Sequence, residues 1–569
     1  MRIRGKASLA VFILVVPTVL VAAPVALAEG GFERLSTLNP VPVNTTVVKR
    51  GEHAIWSNGS FRFQHTVTIE MGGRATLLDA AAEFAAGSGG FLVRSGGTLD
   101  VLRSTLDPAA GSAYRVLAEA GSTLVLANST VTGGQGVRVE TSKATVDDNT
   151  FQSIPLALHL VGTSITVERN TFLANAVGVN QTGGFPVLRA NRFEGGTYCV
   201  RDWLSDPTID GNEMLGCSYG IWHERSESLL VNNRMIDKAD PPGTGMAVVD
   251  TMSPVIRGNN ISNWGTGILI RNARAYIREN TIHGNVLDGV RVERNSAPMD
   301  ITSNHIYKNG RDGIHLSFVS KVPVTDNRVG SNGRHGLYAA FIASTEVRDN
   351  TFSGNGGDGV RISPGNNLVL EGNMARSNAG TGFVIGAVST ATLDWNFAWY
   401  NKLDGYEIRG ASVHLEGGEA GVNGRDGFAV VNAYEVTGEA PRAYSNGGAG
   451  FRFAATQGVS MTAPLANMNR DGFLVEHGNE NVVLARPTAY ANARDGLRSL
   501  AGPTSAREGA WVGNAGYGIQ NLDALNVVDA ILGYWGAPTG PTVAPATVGK
   551  GDRVSTGVLF APFAPGRLN

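Results

Sequence analysis

Residues 350–362 read Asn350-Thr351-Phe352-Ser353-Gly354-Asn355-Gly356-Gly357-Asp358-Gly359-Val360-Arg361-Ile362. In this stretch an asparagine followed by an X-apolar pair precedes, by nine residues, a glycine that opens an alternating apolar segment. The asparagine mark recurs along the chain at intervals of 21 residues, and later at intervals that settle to 23. Its positions are Asn149, Asn170, Asn191, Asn212, Asn233, Asn259, Asn280, Asn304, Asn327, Asn350, Asn373 and Asn396. Such regular spacing indicates an internal repeat, which decides the fold before any other feature.

The strand-opening glycine keeps the same register as the asparagine. It follows the asparagine by eight residues in early units and by nine in later ones, as from Asn170 to Gly178. The turn-rich insertion at residues 240–243 absorbs the one large slip between units. In the first units a glycine pair or Gly-Ser follows the strand instead, at Gly72-Gly73, Gly96-Gly97 and Gly121-Ser122. These marks place the first coil near residue 65.

The repeat predicts an all-β fold. Each unit of 21 to 25 residues holds two or three short alternating segments separated by Asn and Gly turns, as in residues 164–167 and 289–292. Leucine-rich repeats have a similar length but need a regular leucine scaffold, which the sequence lacks. Strands that recur once per coil must stack in parallel, about 4.8 Å apart. The predicted architecture is a single-stranded right-handed parallel β-helix, a solenoid of about twenty coils and about 95 Å in length with N- and C-terminal caps. The turn asparagines are expected to stack amide on amide.

The chain divides into four predicted segments. Residues 1–28 resemble a secretory signal peptide, because Arg2, Arg4 and Lys6 precede an apolar run that ends in Ala26-Leu27-Ala28; a signal anchor is the alternative. Residues 29–64 would form the N-terminal cap, residues 65–522 the coils and residues 523–569 the C-terminal cap. The mature chain is therefore expected to be secreted, periplasmic or displayed on the cell surface, with no membrane span, and capped ends favour a monomer.

Charge and cysteine content narrow the possibilities further. The net charge of -2 provides no global basic field for nucleic acid. Cys199 and Cys217 are 18 residues apart, slightly less than one repeat, so a disulfide between neighbouring coils is a candidate.

The repeated Asn-X-apolar units and the Asp-Gly-apolar-X-apolar strands resemble those of the pectin-lyase-like superfamily of right-handed parallel β-helix proteins. The tail around Gly533-Tyr534-Trp535-Gly536 is similar to an ending common in that superfamily, with Tyr534 in place of a tryptophan. The resemblance covers roughly residues 65 to 565. It implies polysaccharide lyases, galacturonan hydrolases, mannuronan epimerases, carbohydrate-binding surface proteins or copper-enzyme maturation proteins as candidates. The Asp-Pro-His run of the epimerases and the clustered aspartates of the hydrolases are missing.

The register predicts which side chains share one outward face. Arg291, His315, Tyr338 and Arg361 fall at equivalent positions on four successive coils. Arginine suits carboxylates or sulfates, and tyrosine can stack on a sugar while offering a hydroxyl. In a lyase or epimerase, His315 or Tyr338 would abstract the proton α to a uronate carboxylate while the arginines neutralise the developing charge. The alternative is that these are ordinary solvated residues.

Arg201, Trp203, Trp222 and Glu224 form a second candidate binding cluster on neighbouring coils. Exposed tryptophans suggest a platform for a sugar. The alternative is that the adjacent loops bury these rings.

No metal site is predicted. An aspartate precedes the strand-opening glycine in several coils, at Asp288, Asp312, Asp358, Asp404, Asp426, Asp471 and Asp495. Asp-Gly is good turn chemistry, and neighbouring arginines such as Arg425 and Arg494 can neutralise these carboxylates, so Ca²⁺ remains a minor alternative. His283, His305, His315 and His335 occupy different positions in their coils and are not expected to converge on a transition metal.

The function that follows is the binding, and potentially the processing, of an extracellular acidic polysaccharide or cell-surface glycan. If the protein is an enzyme, it is a polysaccharide lyase, an epimerase or a glycoside hydrolase. The alternative is a non-catalytic structural or adhesive rod with a protein partner. The copper-enzyme reading needs metal ligands that the sequence does not offer.

Overall fold

The computed structural model describes residues 39–567, except for residues 88, 111, 238–240, 252, 296–297 and 544–548. The predicted signal peptide and the start of the predicted N-terminal cap lie outside the described residues. The described strands form three sheets, here called A, B and C, which the chain visits in turn once per coil.

Sheet A contains Val41–Val43, Ser60–Phe63, Ala81–Phe84, Thr105–Pro108, Thr130–Thr132, Thr150–Gln152, Thr171–Leu173, Arg192–Glu194, Glu213–Leu215, Arg234–Ile236, Asn260–Ser262, Thr281–His283, His305–Tyr307, Arg328–Gly330, Thr351–Ser353, Met374–Arg376, Phe397–Trp399, Glu419–Gly421, Arg442–Tyr444, Leu465–Asn467, Thr488–Tyr490 and Ala510–Val512.

Sheet B contains Val47–Val48, Val67–Ile69, Gly90–Val93, Arg115–Ala118, Val137–Val139, Leu156–Val161, Val177–Thr182, Tyr198–Trp203, Tyr219–Glu224, Thr244–Val249, Thr266–Arg271, Val290–Asn295, Ile314–Ser320, Leu337–Ala343, Val360–Ile362, Gly365–Asn366, Phe383–Gly386, Tyr406–Arg409, Phe428–Val431, Ala449–Ala454, Asp471–Val475, Leu497–Ser499, Tyr517–Asn521, Pro541–Val543 and Gly551–Val554.

Sheet C contains His53–Ser57, Arg74–Leu78, Thr98–Leu102, Thr123–Ala127, Ala144–Asp147, Thr166–Glu168, Val187–Arg189, Thr208–Asp210, Leu229–Val231, Val255–Arg257, Tyr276–Arg278, Asp300–Thr302, Val324–Thr325, Glu346–Arg348, Leu368–Glu371, Ala391–Asp394, Ser412–Glu416, Glu435–Glu439, Gly458–Thr462, Val482–Ala485, Thr504–Arg507, Val528–Asp529 and Val558–Leu559.

Each strand pairs in parallel with the equivalent strand one coil later, so the predicted solenoid is confirmed. In sheet B, for example, Val290 pairs with Ile314, and Ile314 in turn pairs with Leu337. Sheet A alone has 22 strands, in agreement with about twenty coils. None of the described residues forms a helix that could cross a bilayer.

The core is a set of side-chain columns that run along the solenoid axis. Alternate residues of each strand point inward, and equivalent residues of successive coils stack on one another. The clearest column consists of aromatic rings with neighbouring centroids 4.5 to 5.1 Å apart, at Phe383, Tyr406, Phe428, Phe451 and Phe473. Because every coil buries its apolar residues against its two neighbours, the core grows with the length of the chain.

Buried asparagines form two ladders at the turns. In the first, the backbone N–H of Asn149 donates to the Oδ1 atom of Asn170 at 2.9 Å, and the same bond recurs coil after coil. The second ladder was not recognised in the sequence, and it includes Asn285, Asn309, Asn332, Asn355, Asn378, Asn401, Asn423, Asn446, Asn469, Asn492 and Asn514. The structural interpretation of the asparagines therefore holds, because these amides satisfy buried backbone groups.

The predicted ends of the coil region need correction. Among the described residues, stacking is already present at Val41–Val43, which pairs with Ser60–Phe63, so the coils do not first appear near residue 65. The turn of this early coil has Gly51 at positive φ, as the next two coils have Gly72 and Gly96. Residue 52 is a glutamate, so the glycine pair that marks the later turns is absent from the sequence here. At the other end, strands after residue 522 still extend sheets B and C, up to Val558–Leu559. Trp535 is buried against Trp511 there, with ring centroids 6.3 Å apart.

Candidate functional site

The predicted outward row lies on sheet B with the expected register. Arg291 pairs with His315, His315 with Tyr338 and Tyr338 with Arg361, so the four side chains are neighbours on successive strands. We refer to these four residues as the arginine–histidine row. A parallel row of buried residues, Asp288, Asp312, His335 and Asp358, immediately precedes these strands.

The two arginines of the row are held in place by carboxylates. The Nε atom of Arg291 donates to Glu293 at 2.6 Å, and its guanidinium also donates to Asp288 at 3.2 Å. The Nε atom of Arg361 donates to Asp358 at 2.7 Å. Side chains of the aspartates are almost fully buried, whereas 40% of the Arg361 side chain is exposed. The carboxylates therefore lie beneath the surface and the guanidinium groups lie on it.

His315 is the least exposed member of the row, with 9% of its surface accessible. Its Nδ1 atom lies 3.1 Å from Oδ2 of Asp312, and its ring centroid lies 5.0 Å from that of Tyr338. The burial of Asp312 would by itself raise the pKa of that carboxyl. Hydrogen bonds from His315 and from the backbone of His335, with the charge of Arg334, outweigh burial and hold the pKa below its usual value. Asp312 is thus a carboxylate that can orient His315.

His335 completes the setting of Tyr338 and is uncharged. Its Nδ1 atom accepts the backbone N–H of Asp358 at 3.0 Å, which requires an unprotonated Nδ1. Burial is the main reason why the pKa of His335 is lowered. Its ring lies 5.8 Å from that of Tyr338, and the guanidinium of Arg334 lies 5.9 Å from the same tyrosine ring.

The second predicted cluster also comes together, about four strand spacings or 19 Å from His315. Arg201 pairs with Trp222, and Trp203 pairs with Glu224. Trp203 is 39% exposed, and the half-buried Trp222 donates its indole N–H to Glu224 at 3.2 Å. Trp203 is therefore partly open to solvent, and Trp222 is partly covered by residues of its own and the neighbouring strand.

Two tyrosines that were not singled out in the sequence belong to this cluster. Tyr198 and Tyr219 stack with ring centroids 5.2 Å apart, and Tyr219 meets Trp222 edge to face at 5.1 Å. The guanidinium of Arg201 lies 5.7 Å from the centroid of Tyr198. The spacing of 21 residues between the tyrosines was the available signal. We call Tyr198, Arg201, Trp203, Tyr219, Trp222 and Glu224 the tryptophan patch.

A polar cluster lies in the interior beneath the patch. Asp202 and His223 are fully buried, and Nδ1 of His223 lies 2.6 Å from Asp202, while its Nε2 lies 2.8 Å from the carbonyl of Ser226. A carbonyl can only accept, so Nε2 carries a proton. The nearby disulfide joins Cys199 to Cys217, as the spacing suggested. Because Asp202 and His223 are sealed from solvent, we assign these two residues a structural role in supporting the patch rather than a catalytic one.

Asp288, Asp312 and His315 each offer one potential metal-ligand atom, and these atoms lie within 4.8 Å of one another. The carboxylates already interact with cations, since Arg291 donates to Asp288 and Arg334 lies 4.0 Å from Asp312. A divalent cation would compete with these guanidinium groups. The cluster therefore fits Ca²⁺ poorly, and the expectation of no metal stays a prediction.

The arginine partners of the other turn aspartates differ in part from those suggested by sequence adjacency, since Arg494 does lie 3.9 Å from its neighbour Asp495 but also has a partner one coil earlier. Arg425 lies 3.8 Å from Asp404 and Arg494 bonds to Asp471, each reaching back one coil. Because the coils stack, the aspartate one coil earlier lies closer to each of these guanidinium groups than the aspartate that follows the arginine in sequence. Each of these carboxylates also accepts a backbone N–H from the next coil, as Asp404 does from Asp426 at 2.9 Å.

Comparison with known proteins identifies the repeat. Four overlapping stretches match the profile of a family described as the right handed beta helix region, at residues 89–265, 200–345, 244–398 and 341–526. No curated protein sequence matches the chain.

Solved structures similar to the chain include a double mutant of the periplasmic alginate epimerase AlgG, with 14% identity over 72% of this chain and 78% of that one, at a TM-score of 0.30. The Dettilon tailspike protein gp208 has 16% identity over 56% and 60% of the two chains, at a TM-score of 0.28. The A-module of the Azotobacter vinelandii mannuronan C-5 epimerase AlgE6 has 13% identity over 72% and 90%, at a TM-score of 0.24. At these TM-scores the similarities carry no argument about this chain's activity.

Proposed function

Because the chain belongs to the right-handed β-helix repeat family, we propose that it binds an acidic polysaccharide along the outer face of sheet B and removes a proton from it with His315. The observation that carries this proposal is the Asp312–His315–Tyr338 cluster, set between arginines on successive coils. The protein would act outside the cytoplasm, which a disulfide between Cys199 and Cys217 supports.

The charge distribution favours an acidic ligand. The aspartates that hold the guanidinium groups are buried, although Glu293 beside Arg291 keeps 19% of its side chain exposed. The arginines above the aspartates face solvent, with 40% of the Arg361 and 46% of the Arg334 side chain exposed. Arginine presents two parallel donors to a planar carboxylate. A uronate carboxylate on this surface would therefore meet donors rather than the carboxylates beneath.

The histidine is suited to act as a base. When Asp312 accepts the Nδ1 proton of His315, the lone pair of the neutral ring is on Nε2. The Nε2 atom makes no hydrogen bond with any described residue. It would take the proton from the carbon α to the uronate carboxylate, leaving the electron pair delocalised into that carboxylate, where Arg361 or Arg334 stabilises the charge.

Tyr338, whose ring centroid lies 5.0 Å from that of His315, would supply the proton that the second half of a lyase reaction needs. In a lyase, its hydroxyl would protonate the departing glycosidic oxygen as the carbon–carbon double bond forms. In an epimerase, water would return a proton to the opposite face of the carbanion, because Tyr338 lies beside His315 on the same face of sheet B. Both outcomes conserve protons and electrons with no reagent beyond water.

The tryptophan patch would bind a more distant part of the same polymer. About 19 Å separates Trp222 from His315 along sheet B, and the row positions between Trp222 and Arg291 carry Ala247 and Leu269. A flat apolar floor between a stacking platform and a charged row suits an extended chain. Affinity should therefore rise with oligomer length until both regions are engaged.

Binding and turnover of neutral and acidic polysaccharides test the proposal. Arg291→Ala/Arg361→Ala should lose binding of acidic polymers by about tenfold or more, whereas the matched sheet C variant Arg257→Ala/Arg278→Ala should not. His315→Gln should keep binding and lose turnover. Absorbance of an unsaturated uronate reports a lyase, and solvent deuterium uptake at the α carbon reports an epimerase.

The contrary outcomes are distinct. If the unaltered protein binds acidic polymers but shows no turnover, and His315→Gln binds them equally well, the catalytic part of the proposal is wrong. The protein would then be a carbohydrate-binding protein. If no acidic polymer binds, and the arginine variant behaves like the unaltered chain, the proposal is wrong and the alternative of an adhesive rod with a protein partner takes its place.

A further inference from the structure

A second polar surface lies on sheet C, on strands Ala391–Asp394, Ser412–Glu416 and Glu435–Glu439. It contains a shallow depression of about 270 Å³ whose walls include Thr392, Ser412, His414, Glu435 and Thr437. Nδ1 of His414 lies 2.9 Å from the hydroxyl of Thr437. Hydroxyl, imidazole and carboxylate groups therefore converge on an open concave surface.

A row of carboxylates borders this depression. Glu371, Asp394, Glu416 and Glu439 are register partners on four successive coils. Glu371 forms an ion pair with Arg348, but the other three form no ion pair with any described residue. Three acidic groups thus repeat at about 4.8 Å without an ion pair among the described residues. Positive charge on His414 and Arg348 acts on Asp394 only from farther away.

Asp394 is a partly buried carboxyl with one oxygen left unsatisfied by the described residues. Its Oδ1 atom is shielded from solvent and has no hydrogen-bond partner among the described residues. Burial, followed by the negative charge of Glu416, raises the pKa of this carboxyl. The charge of a cationic ligand beside this carboxyl would favour its ionised form and so lower the pKa again.

An exposed tryptophan forms the edge of the same surface. Trp395 directly follows Asp394 and is 57% exposed. Its indole packs over Gly417, where a Cβ atom would lie 2.8 Å from the ring. On the far side Tyr434, which precedes Glu435, is 55% exposed. Aromatic faces beside carboxylates attract cations as well as the apolar face of a sugar.

We propose that this carboxylate face, made of Asp394, Trp395, Glu416, Glu435 and Glu439, binds a polysaccharide of amino sugars that carry ammonium groups. The carboxylates would pair with the ammonium groups, Trp395 would stack on a sugar ring, and the threonine and serine hydroxyls would bond to the sugar hydroxyls. This site is separate from the acidic-polymer site proposed on sheet B, and neither depends on the other.

The side chains around the depression favour a sugar polymer over a basic peptide. The exposed indole of Trp395 offers a face on which a sugar ring can stack. The hydroxyl groups of Thr392, Ser412 and Thr437 offer hydrogen-bond partners for sugar hydroxyls. An acidic polymer is disfavoured here, because like charges would face one another.

Calorimetric titration of the full chain at low ionic strength tests the proposal with three probes: a glucosamine hexamer, the N-acetylglucosamine hexamer and hexalysine. The glucosamine hexamer should bind about tenfold more tightly than either of the others. Glu416→Gln/Glu439→Gln should weaken its binding about tenfold, from about three- to fivefold per charge. Trp395→Asn should also weaken it about tenfold, and asparagine tolerates the positive φ of 49° at this position.

Two controls give the result its meaning. Glu168→Gln, on the same outward row but ion-paired with Arg169, should leave binding unchanged. Arg291→Ala/Arg361→Ala should bind the glucosamine hexamer normally, which separates this site from that on sheet B. Equal binding of the acetylated hexamer, equal binding of hexalysine or no binding at all would each overturn the proposal.

Discussion

At the scale of single residues, the glycine that opens each sheet B strand is required by the close approach of successive coils. A Cβ atom on Gly382 would lie 2.6 Å from the carbonyl oxygen of Gly405 and 2.9 Å from the Cβ atom of Ala398. Neither neighbour can rotate away, because one is backbone and the other is the first side-chain atom. The glycine mark in the sequence therefore records a packing constraint.

Gly382→Ala is accordingly expected to destabilise the chain by about 1 to 3 kcal/mol, as overpacking does in other cores. Gly458→Ala is the matched control, because the nearest atom to its Cβ would be the Tyr434 carbonyl oxygen at 3.8 Å. That variant should be neutral or slightly more stable. Urea unfolding of the two variants measures the difference, and equal midpoints would contradict the packing argument.

At the scale of the structural element, the turn aspartates form a ladder whose members differ in their electrostatic setting. Asp312 has hydrogen bonds from His315 and His335 that outweigh its burial, so its pKa is lowered. Asp495 is also buried, but its Oδ2 atom has no hydrogen-bond partner among the described residues, and burial raises its pKa. The ionised aspartate before the strand-opening glycine therefore stabilises the fold at Asp312 and destabilises it at Asp495.

Substitution by asparagine should reveal this difference. The raised pKa of Asp495 means that its contribution to stability is present at acid pH and is lost as the pH rises through the folded value, so Asp495→Asn should stabilise the chain at pH 7 by about 1 kcal/mol. The lowered pKa of Asp312 means that its contribution is present above the unfolded value, about 3.9, and is lost as the pH falls through the folded value. Asp312→Asn should therefore destabilise the chain at pH 7.

Urea unfolding at pH 4 and pH 7 measures both effects. The change in stability caused by Asp495→Asn should shrink as the pH is lowered, because the carboxyl of the unaltered chain then becomes neutral. The backbone N–H of Tyr517 donates to Oδ1 of Asp495 at 2.9 Å. A loss of stability at pH 7 in Asp495→Asn would show that this hydrogen bond needs a charged carboxylate as its acceptor, and would contradict the prediction.

At the scale of the whole molecule, a stack of parallel coils has two ends at which backbone groups of three sheets lack a partner. The C-terminal end is closed by Trp535, which is buried against Trp511, and by the strands Gly551–Val554 and Val558–Leu559. The carboxylate of Asp552 also ends the second asparagine ladder, accepting the Asn514 side-chain N–H at 2.8 Å.

Ending the chain after residue 522 should therefore expose the sheet edges and the Trp511 ring. We expect this shortened chain to associate with itself, in contrast to the full chain under the same conditions. Light scattering after size-exclusion chromatography measures the change. If the shortened chain has the same number of chains per particle as the full chain, the last coil does not need the C-terminal residues to prevent association, and the prediction is wrong.

The sequence by itself determined the coil, the register and the outward rows. Parallel stacking aligns residues one period apart, so the intervals of 21 and 23 sufficed to place Trp203 beside Glu224 and His315 beside Tyr338. The spacing of Cys199 and Cys217 likewise suggested their disulfide. Periodicity carries such information because each coil repeats the path of the one before it.

Only the tertiary structure decided what each aligned residue does. Arg425 reaches back to Asp404 rather than to its neighbour Asp426, and His315 is nearly buried, with Asp312 beside it, although its position faces outward. The carboxylate row on sheet C was not recognised, because whether an acidic group finds a cation depends on side-chain contacts. Periodicity fixes where backbones lie, but ion pairs and burial depend on the reach of long side chains across neighbouring coils.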